Sequence, residues 1–334
     1  MRFALDDLLV DVPAAHVEAS RAFYRSRPPG RGPSSLEQLH EVRASRGAPV
    51  PVDPPPVEEV VEADGARVAV RITCPTAGTP RGVLLDVHGG GFYLDSAARS
   101  DARNRALADA RGLAVVSVDH RLAPEHPWPA APDDCATAAL WLLDRAEARF
   151  GTSRLAIGGS SAGATLAMTT LLRLRDRGGV GGFAGAALQF GTYDLSGLTP
   201  AGRRIADEYF LRAYVGHVAD RTVPDVSPVF GDLRGLPPVL LVVGSADVLL
   251  EDNLAMAARL AAAGNDVDLR VYPEAPHGFT GHPTAMAATA LDRIGSWLSD
   301  RIAHPAAMAS TSASHARTPL SRGTALWPLG TVRG

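Results

Sequence analysis

Short apolar runs alternate with helical stretches from residue 81 onward, and this alternation most constrains the fold. The apolar runs cover 83–87, 113–118, 154–157, 185–190, 238–243 and 267–271, and the helical stretches cover 98–110, 132–150, 162–177 and 251–263. Strands that alternate with helices form parallel sheets covered on both faces. Two earlier strands, 57–63 and 67–74, meet at Asp64-Gly65, which is typical of a hairpin turn. We therefore predict an α/β fold with a mostly parallel, mixed sheet of about eight strands and helices on both faces.

Three segments lie outside this alternation. Residues 1–50 have helical apolar spacing and end in a proline-rich stretch, and 199–225 reads as an insertion with one helix around 205–214. The insertion follows a strand whose carboxyl end lies at the ligand-binding edge of such a sheet. We expect these two segments to form a small helical lid over a catalytic domain that spans 51–302. Residues 303–334 lack periodicity, which predicts a disordered tail.

Composition excludes several function classes. The chain has 334 residues, of which 46% are hydrophobic and 21% are charged. Its net charge is −3, and this charge gives no sign of the basic surface that a nucleic-acid-binding protein needs. The two cysteines, Cys74 and Cys135, form no CxxC pair, which argues against a disulfide framework or zinc site. No apolar run reaches the ~18 residues of a membrane span. The first residues do not resemble a signal peptide, and we expect a cytoplasmic protein.

The sequence Gly159-Ser160-Ser161-Ala162-Gly163 lies between a strand and a strong helix former. A nucleophile on such a turn adopts a strained backbone, so its neighbours must be small. Ser161 meets this requirement, whereas the alternative Ser160 has a frame that ends in alanine where glycine is needed. The Ala162 N–H would lie at the helix N-terminus and face a developing oxyanion.

A carboxylate and an imidazole follow the nucleophile in the order Ser…Asp…His. Asp247 comes after the strand 238–243, and His277 comes after the strand 267–271 and a proline-bearing loop that would turn it back over the sheet edge. We predict that His277 is the base and that Asp247 orients it. As lone residues they would be a helix cap and a surface histidine. The rival residues are Glu251 and Asp252 for the acid, and His282, at the start of the final helix, His304 and His315 for the base.

The sequence His88-Gly89-Gly90-Gly91 follows the strand 83–87. Glycines allow backbone N–H groups to approach a substrate oxygen closely, which indicates an oxyanion-binding loop. A phosphate-binding nest is the alternative, but no GK[ST] ending or nearby lysine supports it. We expect a structural role for His88, because it ends the strand and holds the loop. A metal site of His88, His120 and His126 has no ligand spacing behind it.

Together these motifs resemble the bacterial hormone-sensitive-lipase-like family of α/β-hydrolase esterases. The resemblance is dense from about residue 83 to 297 and rests on 88–92, 117–129, 159–163, 227–228, 235–238, 244–249 and 277–279. The block Arg-Leu-Ala-Pro-Glu at 121–125 is more specific to the family than GxSxG. This chain departs from the family where Ser160 replaces aspartate and His120 replaces tyrosine. It also carries a charge, Asp86, in a strand that should be buried.

The resemblance implies a set of site residues and an activity. The nucleophile, acid and base fall on Ser161, Asp247 and His277, and the oxyanion donors fall on the N–H groups of Gly90, Gly91 and Ala162. The resemblance also implies an α/β-hydrolase fold with a helical lid. Members hydrolyse short acyl esters of small molecules without a cofactor. A homodimer through an edge strand is the assembly that the family suggests.

We therefore predict a serine carboxylic-ester hydrolase that acts on short-chain acyl esters through an acyl-enzyme intermediate. One alternative is a deacetylase of a secondary metabolite, cleaving an ester or an amide with the same triad. Another is a non-hydrolytic lyase or dehydratase on this fold. A binding receptor would require the loss of a triad member, and all three are present in this sequence.

Overall fold

The computed structural model describes residues 4–26 and 32–304. The strands are β1 (Val57–Ala63), β2 (Ala66–Thr73), β3 (Val83–Val87), β4 (Ala114–Val118), β5 (Leu155–Ser160), β6 (Phe183–Gln189), β7 (Val239–Gly244) and β8 (Val267–Tyr272). The α-helices are α1 (Ala14–Arg25), α2 (Leu36–Ser45), α3 (Asp101–Arg111), α4 (Ala130–Phe150), α5 (Ala162–Asp176), α6 (Pro200–Arg203), α7 (Tyr209–Val215), α8 (Leu250–Ala262) and α9 (Ala285–Ala303). Helix α9 thus begins after His282 and includes the first residue of the predicted tail, while 305–334 lie outside the described residues.

All eight strands form one sheet in the order β1-β2-β4-β3-β5-β6-β7-β8. Strand β2 is antiparallel to both of its neighbours, β1 and β4, and the pairs from β4 to β8 are parallel. The predicted α/β fold with a mixed, mostly parallel sheet is therefore confirmed. The predicted hairpin turn is present at Asp64 and Gly65, which both have positive φ, as a tight two-residue turn requires.

Each face of the sheet has its own apolar core. Successive strand residues point to opposite faces, so Leu85 lies in the core on the α4 and α5 side, whereas Leu84 lies in the core on the α3 and α9 side. Both leucines are buried, and so is every residue of β3 and β4. Burial on both faces explains why these strands read as continuous apolar runs.

The insertion contains two short helices, α6 and α7, instead of the single helix predicted around 205–214. Ile205, Leu211 and Tyr214 are all buried. On one continuous helix, at about 100° per residue, Ile205 and Tyr214 would point to opposite sides. The break between the helices lets both side chains face the core. Tyr214 then stacks on Phe92 with ring centroids 4.0 Å apart.

The N-terminal segment contacts two different parts of the domain. Helix α1 packs on α9, and Phe23 lies 5.5 Å, centroid to centroid, from the ring of His282. Helix α2 buries Leu39 in the core, and its Arg43 donates to the carbonyl oxygen of Tyr93 at 2.8–3.0 Å. The segment therefore reaches both the C-terminal helix and the loop that follows the glycine motif. Its action as a lid stays a prediction.

Other expectations can be compared with the described part of the chain. Within 4–26 and 32–304, no helix is long and apolar enough to cross a membrane, and no group of three or more His, Cys, Asp or Glu side chains could hold a metal ion. Cys74 is exposed, Cys135 is buried, and both are free thiols. At one edge of the sheet, Val10 N–H donates to the Val271 carbonyl at 2.9 Å. The edge-strand homodimer stays a prediction.

Candidate active site

Ser161 occupies the turn between β5 and α5 in a backbone conformation that side-chain-bearing residues rarely adopt. Its φ is +53° and its ψ is −123°. The Ser161 N–H donates to the Gln189 carbonyl at 2.8 Å, and its carbonyl accepts from Ala164 N–H at 2.9 Å. These bonds hold the strained turn, which places the hydroxyl at the carboxyl edge of the sheet.

Two glycines allow this turn to pack tightly. A Cβ at Gly159 would overlap the backbone of Gly163, and a Cβ at Gly163 would overlap the carbonyl oxygen of Val87. The first turn of α5 therefore presses directly on the end of β3. This contact explains physically why the nucleophile motif needs small residues on both sides of Ser161.

The predicted base and acid lie next to Ser161. His277 Nε2 is 2.9 Å from Ser161 Oγ, and His277 Nδ1 is 3.1 Å from both carboxylate oxygens of Asp247. The Asp247 side chain is fully buried and also accepts the Leu249 N–H at 2.8 Å. The His277 and Phe190 rings make an edge-to-face contact with centroids 5.1 Å apart. The geometry allows proton transfer from the hydroxyl to an imidazole whose orientation is fixed by a carboxylate.

The loops that carry the acid and the base are bonded to each other. Ser245 N–H donates to the Tyr272 carbonyl at 2.8 Å, and Ala246 N–H donates to the Ala275 carbonyl at 3.1 Å. A Cβ at Gly244 would overlap the Ala275 carbonyl oxygen. This close approach places Asp247 and His277 beside each other although they are separated by helix α8 and strand β8.

The glycine loop supplies free backbone donors beside the nucleophile. Gly90 and Gly91 have φ of +110° and +60°, and the Gly90 carbonyl accepts from Leu94 N–H at 2.8 Å. Among the described residues, no hydrogen bond engages the N–H of Gly90, Gly91 or Ala162. All three residues line the same cavity as Ser161. The predicted oxyanion donors are thus brought together with the nucleophile.

His88 and His120 form a buried, stacked pair beneath this loop. Their ring centroids are 4.0 Å apart, with an angle of 10° between the planes. His88 Nδ1 lies 2.8 Å from the Gly89 carbonyl oxygen. Burial lowers the pKa of His88 to about 4, and burial together with the neighbouring His88 lowers the pKa of His120 to about 3. Both rings are therefore neutral near pH 7 and support the loop by packing.

The rival residues do not take part in the hydrogen bonds that join Ser161, His277 and Asp247 within the described part of the chain. Ser160 lines the cavity, but no hydrogen bond joins it to His277 among the described residues. Asp252 is buried and accepts the N–H groups of Tyr193 and Asp194, and burial raises its pKa to about 7. Glu251 is exposed at the start of α8. Of the rival histidines, His282 lies against Phe23 and His304 follows the last residue of α9, while His315 lies outside the described residues.

The site opens into a cavity of about 610 Å³. One part of its wall is apolar, with Phe190, Ile205, Phe210 and Leu249. Another part is polar and comes from the start of α3 and the turn before it, with Ser96, Arg99, Ser100 and Arg103. The volume falls in the range of small-molecule sites.

Sequence reasoning missed Gln189 as part of the site. Its carbonyl holds the Ser161 N–H, and its side-chain oxygen accepts the Thr280 hydroxyl at 2.9 Å. Thr280 lies three residues after His277, so Gln189 connects the turn that holds Ser161 to the loop that holds His277. The only sequence signal for Gln189 was its position as a polar residue near the end of the apolar run 185–190.

This fold and arrangement define the α/β-hydrolase class. Residues 84–281 match the model of a family described by the alpha/beta hydrolase fold, and because this match covers more than half of the chain, the chain belongs to that family. The chain is also similar to the carboxylic ester hydrolase LipN of Mycobacterium tuberculosis (strain ATCC 25618 / H37Rv), with 33% identity over 221 residues. The similarity covers 61% of this chain and 59% of LipN, so it spans about three fifths of that relative's length.

Solved structures of esterases share the whole architecture. An esterase of the hyperthermophilic archaeon Pyrobaculum calidifontis is 27% identical with a TM-score of 0.72, covering 86% of this chain and 98% of that one. An esterase of the bacterial hormone-sensitive lipase family is 27% identical with a TM-score of 0.70, covering 87% of this chain and 100% of that one. EstE5, soaked with p-nitrophenyl butyrate, is 26% identical with a TM-score of 0.71, at the same coverage. The resemblance predicted from the motifs is confirmed.

Proposed function

We propose that this protein is a serine carboxylic-ester hydrolase with Ser161 as nucleophile, His277 as base and Asp247 as the orienting acid. The observation that carries the proposal is the continuous hydrogen-bonded line from Ser161 Oγ through the imidazole to the buried carboxylate, at 2.9 and 3.1 Å. Gly90, Gly91 and Ala162, whose backbone N–H groups have no hydrogen bond within the described residues, line the same cavity. The names of LipN and of the esterases of similar structure support the same activity.

The reaction follows from these positions. Ser161 Oγ attacks the ester carbonyl carbon while His277 Nε2 takes the hydroxyl proton. The carbonyl oxygen becomes negative and is stabilised by the N–H groups of Gly90, Gly91 and Ala162. His277 then gives the proton to the leaving alcohol, and an acyl group remains on Ser161. A water molecule, deprotonated by His277, attacks that acyl group and releases the acid. The buried Asp247 carboxylate stabilises the imidazolium in both halves.

We further propose short-chain acyl esters, with about two to eight acyl carbons, as the substrates. The insertion that borders the cavity carries exposed charged residues, Arg204 and Glu208 among them, and they line the opening. Such a rim offers no wide apolar face on which an aggregated lipid could dock. Residues 1–50 and the insertion 199–225 would form the lid, and the bond from Arg212 Nη2 to the Ser34 carbonyl at 3.3 Å, which joins the two segments, supports this proposal.

The nucleophile is tested with two neighbouring serines. Ser161→Ala should lose roughly 10⁴-fold or more of kcat toward p-nitrophenyl butyrate, while Ser160→Ala is the matched control and keeps most of it. A fluorophosphonate probe should label the wild type at Ser161 only. Labelling of Ser160, or equal activity of the two variants, would show that the assignment is wrong.

Chain length is tested with nitrophenyl esters from acetate to palmitate. We expect kcat/KM to be highest within about two to eight carbons, because each buried CH₂ adds only about 0.8 kcal/mol and a short pocket stops rewarding longer chains. A maximum at about twelve carbons or more, or activation at an oil–water interface, would contradict a short-chain preference and leave the ester-hydrolase proposal standing.

A further inference from the structure

A buried carboxylate in strand β3 holds an arginine in the wall of the catalytic cavity. Asp86 is 5% exposed, although its strand is otherwise apolar. Its carboxylate accepts the Ser117 hydroxyl at 2.9 Å and the Asn104 amide at 3.1 Å. It also accepts Arg103 Nη2 at 2.9 Å. A buried charge is tolerated when it is paired and hydrogen-bonded in this way.

Arg103 retains donor atoms that no hydrogen bond within the described residues engages, and it borders both the cavity of Ser161 and a second cavity between α3 and α9. Its Nη2 is used by Asp86 and, at 3.2 Å, by the Ser100 hydroxyl. Within the described residues, no hydrogen bond engages Nε or Nη1 of this guanidinium. The side chain is 30% exposed, and it lines the same cavity as Ser100, Ser160 and Ser161. The carboxylate behind it therefore fixes the guanidinium while leaving part of its planar fork open to a ligand.

The other charged groups of this wall are engaged with each other. Asp95 pairs with Arg46 and, at 3.5 Å, with Arg99. Arg99 also donates to the Gly47 carbonyl at 2.7 Å. Arg204 and Glu208, which also line the cavity, are exposed on the segment between α6 and α7. Arg103 is thus the cation of this wall that combines a fixed position with open donors.

We propose that Arg103 binds a carboxylate of the ester substrate, which makes it a specificity-determining residue for anionic esters. This proposal rests on the proposed ester hydrolysis. A guanidinium fork matches a carboxylate in geometry and charge, and Ser100 and Ser160 line the same cavity. The carboxylate belongs to either the acyl part or the alcohol part of the ester, and the two arms of the test distinguish them.

The acyl arm compares 4-nitrophenyl hemiglutarate with 4-nitrophenyl pentanoate, which have the same chain length. The alcohol arm compares 4-butyryloxybenzoate, which carries a free carboxylate, with methyl 4-butyryloxybenzoate, which does not. The arm that shows a preference identifies the part of the ester that carries the carboxylate. In that arm, the wild type should have a kcat/KM that is roughly 10-fold or more higher for the anionic ester than for the neutral one. Arg103→Met should abolish that preference by lowering kcat/KM far more for the anionic ester than for the neutral one. Arg103→Lys should retain part of it.

Two further variants serve as controls for this test. Arg145→Gln removes a charge from an exposed position on α4 that does not line the cavity, and it should keep the wild-type preference. Asp86→Asn keeps the arginine but weakens its anchor, so it should lower the preference as Arg103→Met does, even if the latter folds poorly.

An equal rate for anionic and neutral esters in both arms of the wild type would overturn the proposal. So would a preference that survives Arg103→Met. If the wild type hydrolysed neither the anionic nor the neutral esters, that result would instead contradict the proposed function.

Discussion

Replacing His120 with phenylalanine should make the fold less sensitive to acid. The pKa of His88 is about 4 and that of His120 about 3 in the folded protein, whereas an imidazole in the unfolded chain titrates near ~6.5. The unfolded state therefore binds more protons than the native state below that pH. Stability contributed by the pair is fully present above pH ~6.5 and is lost as the pH falls toward 4 and then 3.

The magnitude follows from these pKa values. A difference of one pKa unit corresponds to about 1.4 kcal/mol, so each neutral histidine costs about 2 kcal/mol of stability at pH ~5 and about 3 kcal/mol at pH ~4. Phenylalanine keeps a ring that can stack on His88 but takes up no proton. Asp252 acts with the opposite sign, because its pKa is raised, but it is the same in both proteins and cancels in the difference.

The assay is urea unfolding of the wild type and of His120→Phe at several pH values from 7.5 to 4.5. Between pH ~7.5 and ~5, the free energy of unfolding should drop by about 2 kcal/mol less in the variant. An equal drop in the two proteins would refute the reasoning, since it would mean that His120 is as easily protonated in the folded chain as in the unfolded one.

Other predictions follow from the same contacts. Asp252→Asn removes a group that binds a proton preferentially in the folded state, so urea unfolding should show stability falling more steeply on acidification from pH ~7 to ~4, by up to about 1.4 kcal/mol per pH unit. Gly244→Ala would push the Ala275 carbonyl and the base loop away, and kcat toward p-nitrophenyl butyrate should fall roughly 10- to 100-fold; Gly47→Ala, which meets open space, is its control. Removal of 305–334, whose composition offers little to bury, should leave the melting temperature and esterase rate unchanged, and a large loss of either would contradict that reading.

Local patterns were sufficient to predict the sheet and to nominate the candidate site. Strand β3 is a buried apolar run, and the glycines around Ser161 are required by a turn within five residues of sequence. The structure brings Ser161, Asp247 and His277 together because each follows a strand of the same sheet. Such features can be read from sequence because short stretches of chain determine them.

Features decided by distant contacts could not be predicted. The break between α6 and α7 depends on burying Ile205 and Tyr214 against the same core, which the periodicity of the segment does not show. The sequence marked Asp86 as an unusual charge, but its partner Arg103 lies on a helix 17 residues further along. Gln189 acquires its role only when the β6 end meets the nucleophile turn. Tertiary packing determines all of these.

The bonds between the acid and base loops divide the site into two units with separate tasks. In the proposed mechanism, one unit holds the acyl group, because the start of α5 presses on the end of β3 and thereby ties Ser161 to the glycine loop. In the same mechanism, the other unit transfers protons, because Asp247 and His277 lie on loops that are hydrogen-bonded to each other. A displacement of the second unit would slow proton transfer yet leave the pocket for the negative oxygen intact. A protein that hydrolyses esters and one that only binds a ligand could therefore diverge on this scaffold through changes in the loops of Asp247 and His277 alone.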